Sequence, residues 1–293
     1  MLTLHSLHPT PPERVVIMGG AGFVGSASAG KLRALGVNTV ALTRREVDLL
    51  TDDASVSLRS YLTPSTTLVV TSALAPVKNS LMLLENLRMI QAVLEALKAR
   101  PVSHVVYISS DAVYADSDQP LTESSITAPG SLHGVMHLAR EIAFQSEVAH
   151  IPQVFIRPTL IFGAEDPHNG YGPNRFLRLA RDGREITLFG EGEEKRDHIF
   201  IEDVAEIVGR VVMHRATGII NAATGTVTSF REIAEMAAAQ FEPRVRVTGT
   251  HRVGAMPHNG YRPFDVALLE RVFPGTHRTT LQDGLSRMKA FCK

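Results

Sequence analysis

The 293-residue sequence has no tryptophan, one cysteine, five tyrosines and no net charge, since thirty basic residues balance thirty acidic ones. Proteins that bind nucleic acid or anionic membrane surfaces carry a basic excess or a basic stripe, so neither partner is expected. The one cysteine, Cys292, cannot form an internal disulfide, which favours a reducing compartment. These absences predict a cytoplasmic protein that acts on a small molecule.

Long apolar runs are missing as well. No stretch approaches the ~20 residues of a membrane span, and residues 1–13 lack the basic and apolar regions of a signal peptide. Apolar residues still make up 44% of the chain and charged residues only 20%, which is enough for a sizeable core. The length predicts one large domain or two closely packed ones.

Strand and helix patterns alternate through the first half of the chain. Short apolar runs predict strands, and apolar residues at helical spacing predict helices. The strands are expected at residues 15–18, 37–42, 67–72, 104–108 and 153–156, and the helices at residues 27–35, 81–99 and 132–148. This alternation is typical of an α/β fold, a Rossmann doubly wound parallel sheet with helices on both faces.

The second half of the chain has a different composition. Residues 163–173 are rich in Gly, Pro, Asn and His, which predicts a loop. Further helices are expected at residues 175–181, 207–213, 230–240 and 281–288, and strands at residues 186–189 and 198–201. We therefore predict a cofactor-binding Rossmann domain from residues 13–162 with 197–222, and a smaller C-terminal substrate-binding cap from residues 163–196 with 223–293.

A glycine-rich loop follows the first predicted strand and precedes the first helix. It satisfies both the GxGxxG and the GxxGxxG spacing with Gly19, Gly20, Gly22, Phe23, Val24 and Gly25. Glycine permits a tight turn and a close backbone approach to a pyrophosphate, and the helix N-terminus supplies N–H donors and partial positive charge. The loop predicts a dinucleotide site, against the simpler alternative of a tight turn.

The end of the second strand bears on the choice of cofactor. NAD sites usually carry an acidic residue about 20 residues beyond the loop, but the sequence there reads Thr43-Arg44-Arg45. Two guanidiniums can pair with a 2′-phosphate, so NADP is expected in preference to NAD, unless both arginines are solvated loop residues. The remaining predicted cofactor contacts are Asp48 and Leu49, near the adenine, and Ala73, after the third strand.

Four later segments complete a wider pattern. They are YISSDAVY at residues 107–114, RPTLIFG at 157–163, RDHIFIEDVA at 196–205 and RPFD at 262–265. With the glycine-rich loop, they resemble the extended short-chain dehydrogenase/reductases of the NAD-dependent epimerase/dehydratase family, from residue 15 to about residue 288. Residues 43–49 are most similar to the NADP-using GDP-fucose synthase and dTDP-rhamnose-forming branches of that family.

The resemblance implies a nucleotide-linked sugar or a similar polar substrate. In such members, arginines and an asparagine from the cap hold the diphosphate, and Arg196, Arg262 and Asn174 match those positions. The alternative for the arginines is an ion pair, for instance with Asp197 or Asp265. The family commonly forms homodimers through two helices per subunit, which we expect here by analogy.

The family's catalytic pair, a Tyr and a Lys four residues later on one helix, is missing. In the family the Tyr exchanges a proton with the substrate oxygen, while the Lys lowers the pKa of the Tyr and holds the nicotinamide ribose. Pro129, Gly134 and Glu141 set the register of this segment. Both positions are then histidine, His133 and His137, and none of the five tyrosines is followed by a lysine at that spacing.

Three interpretations of the histidine pair remain open. In the first, His133 replaces the Tyr, since histidine titrates near neutral pH without a lysine, and His137 binds the ribose. Activity should then fall on protonation of one group near pH ~6 to 7. In the second, the redox chemistry is lost and the protein only binds its cofactor. In the third, the pair binds a metal, although no third ligand is evident and we predict none.

The resemblance adds Ser110 and Asp111 to the candidate catalytic residues. Ser110 keeps the family's hydroxyl for the reacting oxygen, whereas Ala112 stands where 4,6-dehydratases carry a catalytic Glu. The alternative for Asp111 is a turn cap. Other histidines, among them His150, His168, His198 and His214, are expected at the surface or in packing. We expect an NAD(P)-dependent epimerase or oxidoreductase, with a cofactor-binding protein without turnover as the alternative.

Overall fold

The computed structural model of the chain describes residues 2–291, so Cys292, on which the prediction of a reducing compartment depends, lies outside the described residues. The strands, numbered in chain order, are β1 (Arg14–Met18), β2 (Thr39–Leu42), β3 (Thr66–Val70), β4 (His104–Ile108), β5 (Gln153–Pro158), β6 (Leu160–Phe162), β7 (Ile186–Leu188), β8 (Lys195–Phe200), β9 (Gly218–Ala222), β10 (Val227–Ser229), β11 (Val247–Gly249) and β12 (Tyr261–Arg262). The helices are α1 (Phe23–Ala34), α2 (Ala54–Arg59), α3 (Ser80–Ala99), α4 (Leu132–Glu147), α5 (Pro173–Arg181), α6 (Ile201–Met213), α7 (Phe230–Ala238), α8 (Ala267–Val272) and α9 (Leu281–Phe291).

The central sheet consists of six parallel strands in the order β2-β1-β3-β4-β5-β9. Its strands are buried on both faces: in β1, Val15 and Ile17 belong to one apolar cluster and Val16 and Met18 to the other. Two buried faces explain why the strands read as continuous apolar runs. Helices α2, α3 and α4 cover one face, and α1 and α6 cover the other. The predicted α/β fold, a doubly wound Rossmann-like sheet, is confirmed.

The C-terminal part of the chain adds two small sheets. Strand β8 pairs with β6, β10 and β12, and β7 pairs with β11. A third apolar cluster, to which Phe176, Phe230 and Leu285 belong, joins these sheets to α5, α7 and α9. Because β8 leads directly into α6, which packs on the central sheet, the C-terminal segments are brought to the carboxyl edge of that sheet.

Most predicted elements are present, with ends displaced by a few residues. The helix expected at residues 207–213 begins earlier, at Ile201, because Val204 already packs in the core with the later turns. Strand β9 was not predicted, although it completes the central sheet. Within residues 2–291, none of the helices combines the length and the apolarity needed to cross a bilayer.

Candidate functional site

Two adjoining cavities lie at the carboxyl edge of the central sheet, where doubly wound folds bind their ligands. The small cavity, of about 230 Å³, and the large cavity, of about 610 Å³, share Gly22, Thr71 and Ala73 in their walls. A third cavity, of about 600 Å³, shares Leu160 and Arg196 with the large one. The three cavities therefore adjoin one another, from the end of β2 to the C-terminal segments.

The glycine-rich loop separates the small cavity from the large one. Gly19 has a φ of +84°, a conformation that side-chain-bearing residues rarely adopt, and a Cβ on Gly25 would collide with the Gly19 carbonyl oxygen. Helix α1 begins after Gly22, which has no side chain to cap the N–H groups of the first turn. Those N–H groups and the helix dipole are available to an anion. Gly19 and Gly22 line the small cavity, Gly22, Phe23, Val24 and Gly25 line the large one, and Gly20 lines neither.

The end of β2 forms a wall of the small cavity. The predicted contacts that line it are Thr43, Arg44, Asp48, Leu49 and Ala73. Arg45 does not line it, and the neighbouring Glu46 carboxylate accepts hydrogen bonds from the N–H and hydroxyl of Thr43 at 2.7 and 2.6 Å. Arg44 is exposed and makes no ion pair with any residue between 2 and 291. Only one of the two predicted arginines is therefore placed to meet a phosphate in this cavity.

The large cavity brings the predicted catalytic residues together. Its wall includes Ser110, Asp111, His133 and His137. Ser110 caps the short 3₁₀ turn after β4, where its Oγ accepts a hydrogen bond from the Ala112 N–H at 3.1 Å. The hydrogen bond from Ser110 Oγ to the Asp111 carboxylate is long, at 3.4 Å. The serine hydroxyl is therefore weakly held and available to a ligand.

Helix α4 is held against this turn by close packing and a buried ion pair. Gly134 approaches the Ala112 carbonyl so closely that a Cβ would collide with it. Farther along the helix, the Glu141 carboxylate accepts two hydrogen bonds from the Arg157 guanidinium of β5, at 2.6 and 3.0 Å. A bidentate pair restrains both partners in orientation as well as distance. These contacts place the two histidines of α4 in the same cavity wall as Ser110.

The two histidines meet edge to face, with ring centroids 4.7 Å apart and ring planes at 89°. Nδ1 of His133 is sealed from solvent and has no hydrogen-bond partner among the described residues. Burial lowers the pKa of His133 below its ordinary 6.5, and the Asp111 carboxylate offsets only part of that effect. Burial also lowers the pKa of His137 well below 6.5, and the charge of Arg140 acts in the same direction. The neutral form of both rings is therefore favoured at pH 7, and the pKa of His133 lies below that of a free imidazole.

Two buried residues beside the histidines were not predicted. Tyr107, on β4, places its hydroxyl 2.8 Å from Nδ1 of His137. Arg140, on α4, donates to the Ser72 carbonyl at 2.8 Å, and to the Asn86 carbonyl and side-chain oxygens at 2.8 and 2.9 Å. Nothing in the sequence indicated a role for Tyr107, because it lies in the apolar run of β4. Arg140 stood out only because it follows the two histidines.

The two arginines predicted to bind phosphate pair with carboxylates of the site. Nε of Arg262 lies 3.1 Å from the Asp111 carboxylate, and the Arg196 guanidinium lies 3.7 Å from the same oxygen. Arg196 also pairs with Glu194 at 3.3 Å, and Arg262 pairs with Asp116 at 3.1 Å. Asp111 is thus the shared counter-charge of both arginines, which is a larger role than the turn cap considered as its alternative.

The ion pairs of Arg196 and Arg262 do not involve Asp197 or Asp265, the partners that the sequence suggested. Asp197 and Asp265 accept backbone N–H groups instead. Only Arg196 reaches the wall of the large cavity, because the other arginine is enclosed by its acidic partners. Asn174 does not reach that wall either, because its side-chain amide exchanges two hydrogen bonds with the backbone of Gly163. The phosphate-binding role of these residues therefore stays a prediction.

Further polar residues from distant loops line the large cavity, namely Asp166, His168 and His258. His258 has a left-handed backbone, with a φ of +53°, and its Nδ1 lies 2.5 Å from the Asp116 carboxylate. The sequence predicted His168 to be a surface or core residue and assigned no role to His258. No local sequence pattern indicates that the loops carrying them fold back to this cavity. Within the described residues, no three His, Cys, Asp or Glu side chains are grouped to hold a metal ion.

The sequence matches a known protein family. A sequence profile of the NAD dependent epimerase/dehydratase family matches residues 15–223. The chain is 30% identical over 250 residues to the putative GDP-L-fucose synthase 2 of Oryza sativa subsp. japonica, a match that covers 76% of this chain and 71% of that protein.

Solved structures are similar over nearly the whole chain. UDP-glucose 4-epimerase of Thermus thermophilus, in complex with NAD, has a TM-score of 0.81 and 22% identity, covering 95% of this chain and 98% of that one. A GDP-L-fucose synthetase from Naegleria fowleri, bound to NADP, has a TM-score of 0.83 and 15% identity, covering 98% and 94%. Since the family profile spans well over half of the sequence, the chain belongs to the NAD dependent epimerase/dehydratase family.

Proposed function

We propose that the protein is an NAD(P)-dependent epimerase or oxidoreductase that moves a hydride to or from a carbinol or keto carbon of a nucleotide-linked sugar or similar polar substrate. The observation that carries this proposal is the wall of the large cavity, where Ser110 and His133 stand next to the glycine-rich loop. Such a reaction needs a ring that exchanges protons, a hydroxyl donor and an anion-binding helix N-terminus at one edge of the sheet.

The two cavities beside the glycine-rich loop fit a dinucleotide. The uncapped N-terminus of α1 offers backbone N–H groups to a pyrophosphate, and the small cavity, walled by Leu49 and Ala73, takes the adenosine end. Arg44, exposed and without an ion pair among the described residues, favours the 2′-phosphate of NADP over NAD. When bound, the nicotinamide supplies or accepts the hydride.

His133 serves as the acid and base of the reaction. Its neutral ring accepts the proton of a substrate hydroxyl while the hydride leaves the same carbon, and returns that proton when the carbonyl is reduced again. Asp111 stabilises the imidazolium that forms, since its negative charge raises the pKa of His133. Ser110 donates its hydroxyl hydrogen to the reacting oxygen.

The third cavity supports a substrate that carries a nucleotide. Tyr171 packs against Phe189 and Phe230 with ring centroids 4.8 and 4.7 Å apart, and all three rings line that cavity. Aromatic rings are favourable surfaces for a nucleobase, because every base has a stacking face. The names of the relatives, a GDP-L-fucose synthase and a UDP-glucose 4-epimerase, point to the same class of substrate.

A homodimer is the expected assembly. Apolar side chains remain exposed on the outer faces of α3 and α4, namely Leu81, Leu84, Leu132, Val135 and Ile142. Residues 132, 135 and 142 lie on one side of a helix, so they form a stripe that a second copy would cover. Sedimentation measurements on the wild-type protein and on a Leu84→Glu, Val135→Glu variant would test this assembly.

The domain boundaries and the compartment remain predictions of ours. We propose that residues 13–162 with 197–222 form the cofactor domain and that residues 163–196 with 223–293 form the cap. Every strand of the central sheet falls in the first set, while the third apolar cluster draws mainly on the second. The prediction of a cytoplasmic protein depends on composition alone.

The alternative function is cofactor binding without redox turnover. It is favoured by one observation, namely that both cap arginines are already neutralised by carboxylates. A protein of this kind would bind NADP(H) but would convert no nucleotide-linked sugar.

One experiment separates the two functions. Purified protein is incubated with NAD or NADP and a panel of nucleotide-linked sugars, and the products are separated by chromatography. The wild-type protein is expected to convert at least one sugar, and His133→Ala to lose about 10²- to 10⁴-fold in kcat. His150→Ala, at an exposed position, is the control.

The pH dependence adds a second readout. Because the base must be neutral, the rate of alcohol oxidation should fall as the pH decreases through the pKa of His133, which burial holds below 6.5. An unchanged rate in His133→Ala would remove the acid–base assignment. Cofactor binding with no product from any sugar would establish the alternative.

A further inference from the structure

The polar surroundings of His137 differ on its two ring nitrogens. Nδ1 lies 2.8 Å from the Tyr107 hydroxyl, a contact between two buried groups. No described residue hydrogen-bonds to Nε2, and this nitrogen is not among the sealed atoms without a partner, while His137 lines the large cavity. One nitrogen is therefore held by the protein, and the other is left for a ligand.

The direction of the Tyr107 hydrogen bond follows from burial. Among the described residues, Nδ1 of His137 is the only hydrogen-bond acceptor within reach of the Tyr107 hydroxyl. If Nδ1 donated instead, the buried phenol hydrogen would have no acceptor, so the phenol donates its single hydrogen to Nδ1. Burial raises the pKa of Tyr107 to about 12, so that the phenol keeps this hydrogen at any pH at which the protein works.

We propose that Tyr107 is a positioning residue, which locks the ring of His137 with its proton on Nε2 and directs that N–H into the large cavity. A neutral imidazole has one donor and one acceptor, so occupying the acceptor at Nδ1 leaves only the donor for a ligand. The partner that this donor selects is an acceptor oxygen, such as a ribose hydroxyl oxygen of a bound dinucleotide. This inference rests on the proposed function, because it specifies how the cofactor is held.

Burial favours the neutral form of both histidine rings, and one neighbouring charge acts in the same direction. Arg140 lowers the pKa of both histidines, and it is bonded to carbonyl and amide oxygens rather than to a carboxylate. On the side of His133, Asp111 raises its pKa and His168 lowers it. Arg140 thus supplies a buried positive charge near the pair, while His137 supplies a neutral donor.

The first test determines the tautomer of His137 in the wild-type protein. In wild-type protein labelled with ¹⁵N-histidine, the two nitrogens of a neutral ring resonate far apart, because one carries a proton and the other does not. The His137 signals are assigned by their loss in His137→Gln. At pH 7 we expect an unprotonated Nδ1 and a protonated Nε2; a proton on Nδ1, or a charged ring, would overturn the proposal.

The second test removes only the hydroxyl. Tyr107→Phe keeps the ring that packs against Phe144 and Phe155, and should turn the single tautomer into a mixture, with the Nδ1 signal moving toward its protonated position. Affinity for NADPH, measured by fluorescence titration, should fall about tenfold. Tyr61→Phe is the control, since this half-buried tyrosine packs in the core away from the cavities and should leave both readouts unchanged.

The outcomes separate this inference from the proposed function. A tautomer and an NADPH affinity that are unaffected by Tyr107→Phe would contradict the positioning role even in an active enzyme. A locked tautomer and weakened binding in a protein that converts no sugar would support the positioning role, while the proposed reaction would fail.

Discussion

The Asp111 carboxylate lies 3.1 Å from Nε of Arg262, although the two residues are 151 positions apart in the chain. Asp111 follows β4 of the central sheet and Arg262 ends β12 of the C-terminal part. The same carboxylate oxygen is 3.7 Å from the Arg196 guanidinium, so one acid pairs with two cations beside the large cavity. This relationship joins the two parts of the chain at the site.

Asp111→Asn should destabilise the protein by about 3 kcal/mol, because it leaves two largely buried guanidiniums without their shared counter-charge. The free energy of unfolding is measured by urea denaturation. The matched control is Asp52→Asn at an exposed position, which is expected to change stability by less than about 0.5 kcal/mol. Equal stabilities of the two variants would show that the ion pairs contribute nothing.

Arg44→Ala should weaken NADPH binding by about tenfold or more and leave NADH binding almost unchanged, because only the 2′-phosphate meets this guanidinium. Arg45→Ala is the matched control, since Arg45 does not line the small cavity. Both affinities are read by nicotinamide fluorescence. A larger loss for Arg45→Ala, or equal losses for NADH and NADPH, would contradict the assignment.

Gly25→Ala should abolish dinucleotide binding, because the added Cβ would collide with the Gly19 carbonyl oxygen and push the phosphate loop out of place. Gly30→Ala, farther along the same helix, is the control. Its Cβ would meet no atom within 4 Å, so this variant should keep binding and gain about 0.5 to 1 kcal/mol of stability. Calorimetric titration with NADPH measures binding by the two variants, and thermal unfolding measures their stability. Intact binding in Gly25→Ala would disprove that the glycine-rich loop holds the dinucleotide.

Stability should fall in mild acid because of His104. Burial lowers its pKa in the folded protein to about 4, while the unfolded chain keeps the ordinary value of 6.5. As the pH decreases from about 6.5 to about 4, His104 is protonated in the unfolded chain but not in the folded protein. The free energy of unfolding therefore decreases by up to about 3 kcal/mol.

His104→Gln removes this titration and keeps a donor for the Ala216 carbonyl, which lies 2.7 Å from Nε2 of His104. Urea unfolding at pH 7 and pH 4.5 should show a smaller loss of stability in the variant than in the wild-type protein. His150→Gln, at an exposed position, should behave as the wild type. Parallel behaviour of His104→Gln and the wild type would rule out His104 as the source.

The parts of the site that could be predicted are those set by neighbouring residues. The glycine-rich loop was identified because it stands between a strand and a helix, and the histidine pair because a spacing of four puts both rings on one helical face. The residues predicted to be catalytic, at positions 110, 111, 133 and 137, do line one cavity. Strand β9, in contrast, was not predicted, because its short apolar segment can be identified as a strand only from its pairing with β5.

Local spacing therefore determined the fold class, the glycine-rich loop between a strand and a helix, and two histidines on one helical face. Only the tertiary structure decided that Arg44 rather than Arg45 lines the small cavity, that Asp111 pairs with both Arg196 and Arg262, and that Tyr107 contacts His137. The physical reason is the range of the interactions. A turn or a helical face is fixed by adjacent residues, whereas ion pairs, burial and the pKa values that follow from them depend on segments that meet only when the core packs.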